Sequence, residues 1–500
     1  QRVEFEQGVE DSTIGAYAFK NCTKLNEVIL SDNIITIGFQ AFYGCSSLTS
    51  LRLSSNLKKM GVQMIQGTKI ESIVVPKGVY EAGYAGTYEV NGALEGCNTL
   101  TMVILEEGME TIPKYLFANI NSLQKVEIPQ SIKKIDNFAF HNCTGLKEII
   151  IPKSVVDIGE YVFRNCTSLT KVTFEEQSLI KKIPREMFKG CISLETVELS
   201  KEITNIDWWA FQECKSLKNI VFPSSLQTID REAFKNSGLE YVDIPANVYS
   251  IGSEAFAGTL IKEVYFENGK KMQIGTAAFK NCTILTNFFI NNRLIELEEE
   301  ALSGCSSLVE LDLSSVVKLG ACVVKGTQIR KLIIPVNTVL NGKYAYGTTY
   351  YSPFTGCDTL KTIILQDGRS WITNYAFSSC ESIESIVIPA SVNTFGTYAF
   401  WEQGNKNLII YGVSGSYTEE WAGRNGFTFC DVTNGFPDSY KTSEYLVKVI
   451  DSASKQPISN AVICINGEEA GITAEDGTVK ITIYGTVTQN VSVAKDGYDT

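Results

Sequence analysis

The sequence predicts an α/β solenoid, with a parallel sheet on one face and short helical turns on the other, followed by a small all-β sandwich. Three observations predict it. The phrase I-G-x-x-A-F-x-x-C-x-x-L-x-x-I-x-I-P recurs about every 23 residues. Within each copy the L-x-x-I-x-I segment alternates and is rich in Ile and Val, the pattern of a short strand. The period ends near residue 411, and from residue 444 alternating segments separated by turn dipeptides take over. A fixed period in the twenties marks repeats that cannot bury their apolar faces alone and must stack.

With the Phe of the phrase as anchor, copies fall at positions 19, 42, 65, 94, 117, 140, 163, 188, 211, 234, 256, 279, 302, 324, 354, 377 and 400. The strand that follows each anchor is closed by proline at Pro76, Pro129, Pro152, Pro223, Pro245, Pro335 and Pro389, because proline cannot donate the next ladder hydrogen bond. An Ile followed by Gly, Pro or Asp comes next, as at Ile14-Gly15, Ile112-Pro113 and Ile206-Asp207. Those residue types are favoured beside a helix start, so the A-F that follows is expected to lie on a short helical turn with its Phe inward.

Eleven of the 14 cysteines sit three residues after an anchor, from Cys22 to Cys380. A free thiol behaves as a small hydrophobe with a weak donor, which suits an inward-facing column. Stacked parallel side chains point the same way, whereas a disulfide needs converging Cβ vectors. The column is therefore expected to hold reduced, structural thiols.

The phrase resembles the BspA-type leucine-rich repeats of bacterial and protozoan surface proteins over roughly residues 12 to 411. The resemblance implies a leucine-rich-repeat solenoid, export to the cell surface, and adhesion to host or extracellular-matrix proteins. It does not specify the ligand.

Two gaps break the period, from Ile65 to Leu94 and from Val324 to Phe354. Both insertions follow the strand of their repeat, and both are rich in Tyr and Gly. The five anchors from Phe42 to Phe140 recur from Leu302 to Phe400 at an offset of 259 or 260, so a block was duplicated with its insertion. Such loops read either as tolerated surface bulges or as binding loops, since Tyr supplies large contact area at low conformational cost. On the second reading the candidate ligand-binding residues are Tyr80, Tyr84, Tyr88, Tyr344, Tyr346, Tyr350 and Tyr351.

The solenoid is expected over residues 1–411 and its C-terminal cap over 412–430, where Ser416 and Glu419 form a capping box and Gly423 or Gly426 ends the helix. Residues 431–443 read as a linker. Over 444–500 strands are expected at Tyr445 to Ile450, Ala461 to Ile465, Thr478 to Tyr484 and Val491 to Ala494. Val447, Val449, Asp451, Pro457, Ile458, Ala461 and Ile463 match a pattern similar to carboxypeptidase-regulatory-like and Ig-like sandwiches, which implies a stalk or spacer module. An edge strand is expected beyond Thr500.

Net charge is −12, which argues against a basic track for nucleic acid and against docking on anionic lipid. No apolar run approaches the ~20 residues of a membrane span. The chain opens on Gln1-Arg2-Val3-Glu4 without a leader, so a signal peptide is expected to have been removed. The sole histidine, His141, reads as exposed and passive, and it excludes His-pair zinc motifs. No phosphate loop, dinucleotide fingerprint, calcium loop or C-x-x-C spacing is present, so no catalytic, cofactor or metal site is expected.

The middle residue of each I-x-I should face solvent, from Ile29 through Val387, and ten of these 16 positions are apolar. Either β-propensity alone favours them or they form an interaction surface, with Ile104, Tyr265 and Phe289 as candidates. The sequence thus predicts a non-enzymatic surface recognition or adhesion protein for an extracellular protein or glycan. Part of a polymer-degrading enzyme, or a homophilic surface-layer protein, are the competing readings.

Overall fold

The computed structural model describes residues 1–85, 90–290, 293–344, 350–400, 407–433, 442–451, 456–465, 468–484 and 491–495. The chain divides into two compact units, one comprising residues 1–361, 371–383 and 394–405, the other 362–370, 384–393 and 406–500.

The first unit is a parallel solenoid in which most turns contribute two short strands to two ladders, the turns anchored at Phe211 and Leu302 lacking the first. The first ladder is built from the I-x-I segments, such as Glu148–Ile151 and Lys171–Phe174, paired residue for residue with Ile149 opposite Val172. Alternate residues point inward, so Ile149, Ile151 and Val172 are buried while Glu148 and Ile150 are exposed. Glu148–Ile151, Ser72–Val75, Tyr241–Ile244 and Lys331–Ile334 each stop at the residue before a proline.

The second ladder is built from the residue pair before the Gly, Pro or Asp. Its strands include Lys182–Ile183, Asn205–Ile206 and Thr228–Ile229, and eight of them run unbroken to Val339–Leu340. The position before the buried Ile faces out, and there it is polar in most turns.

The expected helical turns are not formed. The A-F segment is a tight turn in which successive N–H groups alternate between two partners. Ala18, Lys20 and Cys22 N–H groups donate within the turn to Gly15, Tyr17 and Phe19 carbonyls, while Tyr17, Phe19 and Asn21 donate to Phe39, Ala41 and Tyr43 of the next repeat. A helix keeps every bond within its own segment; here half of them cross to the neighbour. The alternation requires left-handed residues two before and two after the anchor, as at Tyr17 and Asn21. The later position is Asn or Gly in nearly every turn, the types that tolerate φ > 0 most readily.

The anchors fill the centre. Phe117, Phe140, Phe163, Phe188, Phe211, Phe234, Phe256 and Phe279 are fully buried and stack with ring centroids 4.5–5.7 Å apart, close to the spacing of neighbouring strands. Phe19, in the first turn, is only half-buried. Of the eleven column cysteines, ten are buried and Cys22 is exposed, and all are free. Their thiols point at the preceding repeat: Cys143 Sγ lies 3.0 Å from Phe117 O and Cys191 Sγ 3.0 Å from Phe163 O. Where Thr replaces Cys, as at Thr68 and Thr259, the hydroxyl instead donates to its own anchor carbonyl at 2.8 Å.

Arg293 was not singled out by its sequence position. It is 2 % exposed, and its guanidinium donates to the carbonyls of Lys270, Ile244, Pro245, Glu267, Ala246 and Val248. A buried cation is tolerable only when its donors are satisfied in this way.

In the second unit Thr362–Leu365, Ser385–Val387, Ile409–Gly412 and Thr428–Asp431 form a parallel sheet. The helix Tyr417–Arg424 is the one α-helix among the described residues. Its expected capping box is altered: Ser416 makes no side-chain cap bond, and Glu419 Oε2 instead accepts from Gly415 N–H at 2.7 Å. The helix ends through Gly426 at φ 76°, with Phe427 N–H donating to Ala422 O. Val387, expected to be exposed, is buried, since it lies between the larger Ile364 and Tyr411 on its two neighbouring strands. Further along, Thr442–Lys448 pairs antiparallel with Thr478–Tyr484, and Val462–Ile465 pairs antiparallel with Glu468–Ile472 and Val491–Ala494. The strand Glu468–Ile472 had no counterpart in the sequence reading.

Candidate functional site

The tyrosine-rich insertions are β-hairpins rather than irregular loops. In the first, Tyr84–Ala85 pairs antiparallel with Val90–Asn91; in the second, Lys343–Tyr344 pairs with Tyr350–Tyr351. Tyr80 and Tyr84 are 61 % and 63 % exposed. Lys59, which is ion-paired to Glu81 at 2.9 Å, holds its ammonium 5.9 Å from the Tyr80 ring. Tyr351 is half-buried. Tyr344 and Tyr350 face each other across the second hairpin through their backbones. Tyr88 and Tyr346 lie outside the described residues.

Both hairpins leave the solenoid at a glycine that close packing requires. A Cβ on Gly83 would fall 2.7 Å from Tyr115 Cβ, and one on Gly342 would fall 2.3 Å from Tyr375 Cβ. Each hairpin also interrupts the second ladder. One sheet ends at Glu81–Ala82 and the next begins at Thr111–Ile112; likewise one ends at Val339–Leu340 and another begins at Trp371–Ile372. At the second interruption a cleft of about 470 Å³ opens, lined by Trp371, Tyr375, Asn341, Asn374, Thr373 and Thr394 with neighbouring backbone. None of its described lining residues is charged. A second cleft of about 270 Å³ is lined by Lys235, Glu254, Lys280 and Glu300, whose charges are already paired, Lys235 with Glu254 and Lys280 with Glu300.

The solvent-facing row of the first ladder is broken by charge. Val74 and Ile104 are exposed neighbours, but Ile104 is followed by Glu127. Tyr265 and Phe289, opposite each other, are half-buried with ring centroids 4.9 Å apart. Within this row the most exposed apolar residue is Val221, at 85 %, away from both pairs.

A row that the sequence reading passed over lies two residues before the anchors. Tyr115, Phe138 and Tyr161 stack in series at 5.5 and 4.4 Å. Arg185 then spans Tyr161 and Trp209 at 5.6 and 4.8 Å from their ring centroids. The signal was available: that slot is aromatic in Tyr17, Tyr115, Phe138, Tyr161, Trp209, Tyr375 and Tyr398. His141 borders this row 5.7 Å from Phe138. It is half-buried rather than exposed, and its Nδ1 is buried with no partner. Desolvation, then the charge of Arg164, pulls its pKa down to about 4.

Among the described residues no three His, Cys, Asp or Glu side chains are grouped to hold a metal ion, and no helix is long and apolar enough to cross a membrane. Asp207 and Asp230, one turn apart, both have their carboxyl pKa raised by burial, with Asp207 adding to the effect on Asp230. Asp207 is ion-paired to Lys182 at 3.6 Å.

Two parallel ladders per turn, inward aliphatic rows and a stacked aromatic centre define a leucine-rich-repeat solenoid. The chain belongs to the BspA type leucine rich repeat region family, whose model matches in overlapping segments from residue 2 to residue 422. A leucine-rich repeat protein from Bacteroides ovatus has a similar structure, with 22% identity over 86% of this chain and 92% of that one, at a TM-score of 0.52. A leucine rich cell surface protein from Faecalibacterium prausnitzii has 22% identity over 85% and 90%, at a TM-score of 0.32. No curated protein matches the chain.

Proposed function

We propose that this is a non-enzymatic recognition protein, secreted or displayed at the cell surface, that binds an extracellular protein or glycan through its solenoid. The observation that carries this reading is the pair of tyrosine-bearing hairpins, set at equivalent points of a duplicated block and inserted into a two-ladder scaffold. Tyr80 and Tyr84 present aromatic surface to solvent with little rotamer entropy to lose, and binding energy concentrates in a few such side chains. The antiparallel strands of residues 442–495 serve, on this reading, as an Ig-like or carboxypeptidase-regulatory-like spacer.

The test is binding to a panel of matrix proteins and glycans, with each hairpin shortened to the regular repeat length and, separately, with Tyr80 and Tyr84 changed to Ser. Loss of affinity on removing either hairpin, and greater loss on removing both, is the expected result. Full binding by the double deletion rejects the hairpins and moves the search to Ile104, Tyr265 and Phe289.

A further inference from the structure

The two hairpins open the solenoid in the same way, but the chemistry beneath them differs. Trp371 occupies the outward position of the second ladder, the place held by Thr36, Lys59, Thr111, Lys134, Asp157, Lys182 and their successors. Across that ladder the slot is polar or charged apart from Val339, and Trp371 is its one aromatic residue. Its neighbour Ile372 is buried, so the strand itself turns the indole outward, where it is 42 % exposed and lines the 470 Å³ cleft. The matching positions in the first block are Thr111, Pro113, Lys114, Lys134 and Asp136, of which three are charged and none is an indole.

The polar groups of the cleft have capacity left. Asn374 Oδ1 accepts from Thr397 N–H at 2.8 Å, which fixes the amide and leaves its NH₂ free to donate. Thr373 Oγ1 donates to Leu340 O at 2.6 Å, leaving its oxygen able to accept. The Asn341 side chain is exposed, with an amide that both donates and accepts. The cleft therefore offers an aromatic face, neutral donors and neutral acceptors, held on short strands.

We propose that this cleft binds one sugar ring of a neutral glycan. A pyranose ring carries C–H bonds on one face and hydroxyls around its rim, each hydroxyl both donor and acceptor. The C–H face stacks on the exposed Trp371 indole, and the rim hydroxyls accept from Asn374 and Asn341 and donate to Thr373. The volume lies in the range of small-molecule sites. The uncharged lining disfavours anionic sugars, whose carboxylate would lose water without gaining a counter-charge. This inference rests on the reading of the protein as a recognition module and names a ligand class for one of its two insertion sites.

The experiment is ligand-observed saturation-transfer NMR on the full chain with galactose, glucose, mannose, N-acetylglucosamine and N-acetylgalactosamine, with sialyllactose as the anionic contrast and a proline-rich peptide as the alternative occupant. At least one neutral sugar should give transfer. Trp371→Ala should weaken it tenfold or more, Trp371→Phe should weaken it less, and Asn341→Ala should also weaken it. An unshifted thermal midpoint in Trp371→Ala assigns the loss to the cleft, and the milder Phe variant serves if Ala disturbs folding. No transfer from any neutral sugar overturns the proposal. So does transfer that Trp371→Ala and Trp371→Phe leave unchanged, or occupancy by the peptide alone. The Tyr80 and Tyr84 variants should keep full sugar transfer, so failure at this cleft and failure of the hairpin reading are separately visible.

Discussion

At the scale of single residues, His141 shows how a solenoid traps a titratable group between turns. Its imidazole is half-buried beside Phe138 and near Arg164, and its pKa falls from 6.5 to about 4. Between those values the native state binds fewer protons than the unfolded chain, so stability falls as pH falls through that window. The full shift corresponds to at most about 3 kcal/mol, less because the ring keeps some solvent contact. Thermal or urea unfolding followed from pH 7 to pH 4 should show this loss, and His141→Phe should flatten it. An unchanged slope in the variant would remove His141 as its source. The sequence placed this residue in a variable slot that holds Lys20, Arg164, Lys235 and Lys280 in other turns, and by that register it read as exposed. The stacked aromatic row two residues before the anchors, which partly covers it, was the missing information. Arg293 was illegible for a related reason: its six carbonyl partners come from loops that only stacking brings together.

At the scale of the repeating element, the strands and their proline stops were legible because period-two alternation is a local signal. The helical turn was misread because Gly or Asp before A-F resembles a helix start. Only the Asn or Gly two residues past the anchor distinguishes a turn that alternates right- and left-handed residues. Asn142, at φ 57°, also donates through its side chain to Asn119 Oδ1 at 3.0 Å. Asn142→Ala should therefore cost about 1–2 kcal/mol, because alanine lacks the short polar side chain that makes the left-handed region tolerable to asparagine and because the hydrogen bond is lost. Asn142→Gly should cost less, since glycine adopts that region freely. Chemical denaturation of the two variants checks the order; equal losses would mean that the hydrogen bond, rather than the backbone, sets the cost.

At the scale of the whole molecule, the periodicity and the family resemblance carried the repeat architecture, and the 260-residue offset revealed the duplicated block. Backbone geometry was copied, as Gly83 with Tyr115 and Gly342 with Tyr375 show, but Thr111 and Trp371 now stand in the same place with different chemistry. A single core change should also be felt beyond its own turn. Phe163 stacks on Phe140 and Phe188 at 5.2 and 5.7 Å, so Phe163→Ala should cost about 3–5 kcal/mol and loosen both neighbours. Hydrogen exchange should show lost protection in the turns anchored by Phe140 and Phe188. Exchange confined to the mutated turn would contradict the nearest-neighbour coupling.

The column of free thiols makes the molecule its own reporter of where it opens. Burial pushes Cys166 and Cys380 up to about 12 and Cys45 up to about 11, so each is inert while its turn is closed and reactive once exposed to water. Ten buried, free column thiols are spaced along the chain, one per turn across much of it. Timed alkylation under native conditions, followed by peptide mass spectrometry, would therefore convert labelling rates into local opening free energies turn by turn. Cys22, exposed in the first turn, should label at once; Cys166 and Cys191, flanked by complete repeats, should label last. Uniform rates would mean that the array opens as one cooperative body rather than fraying from its end.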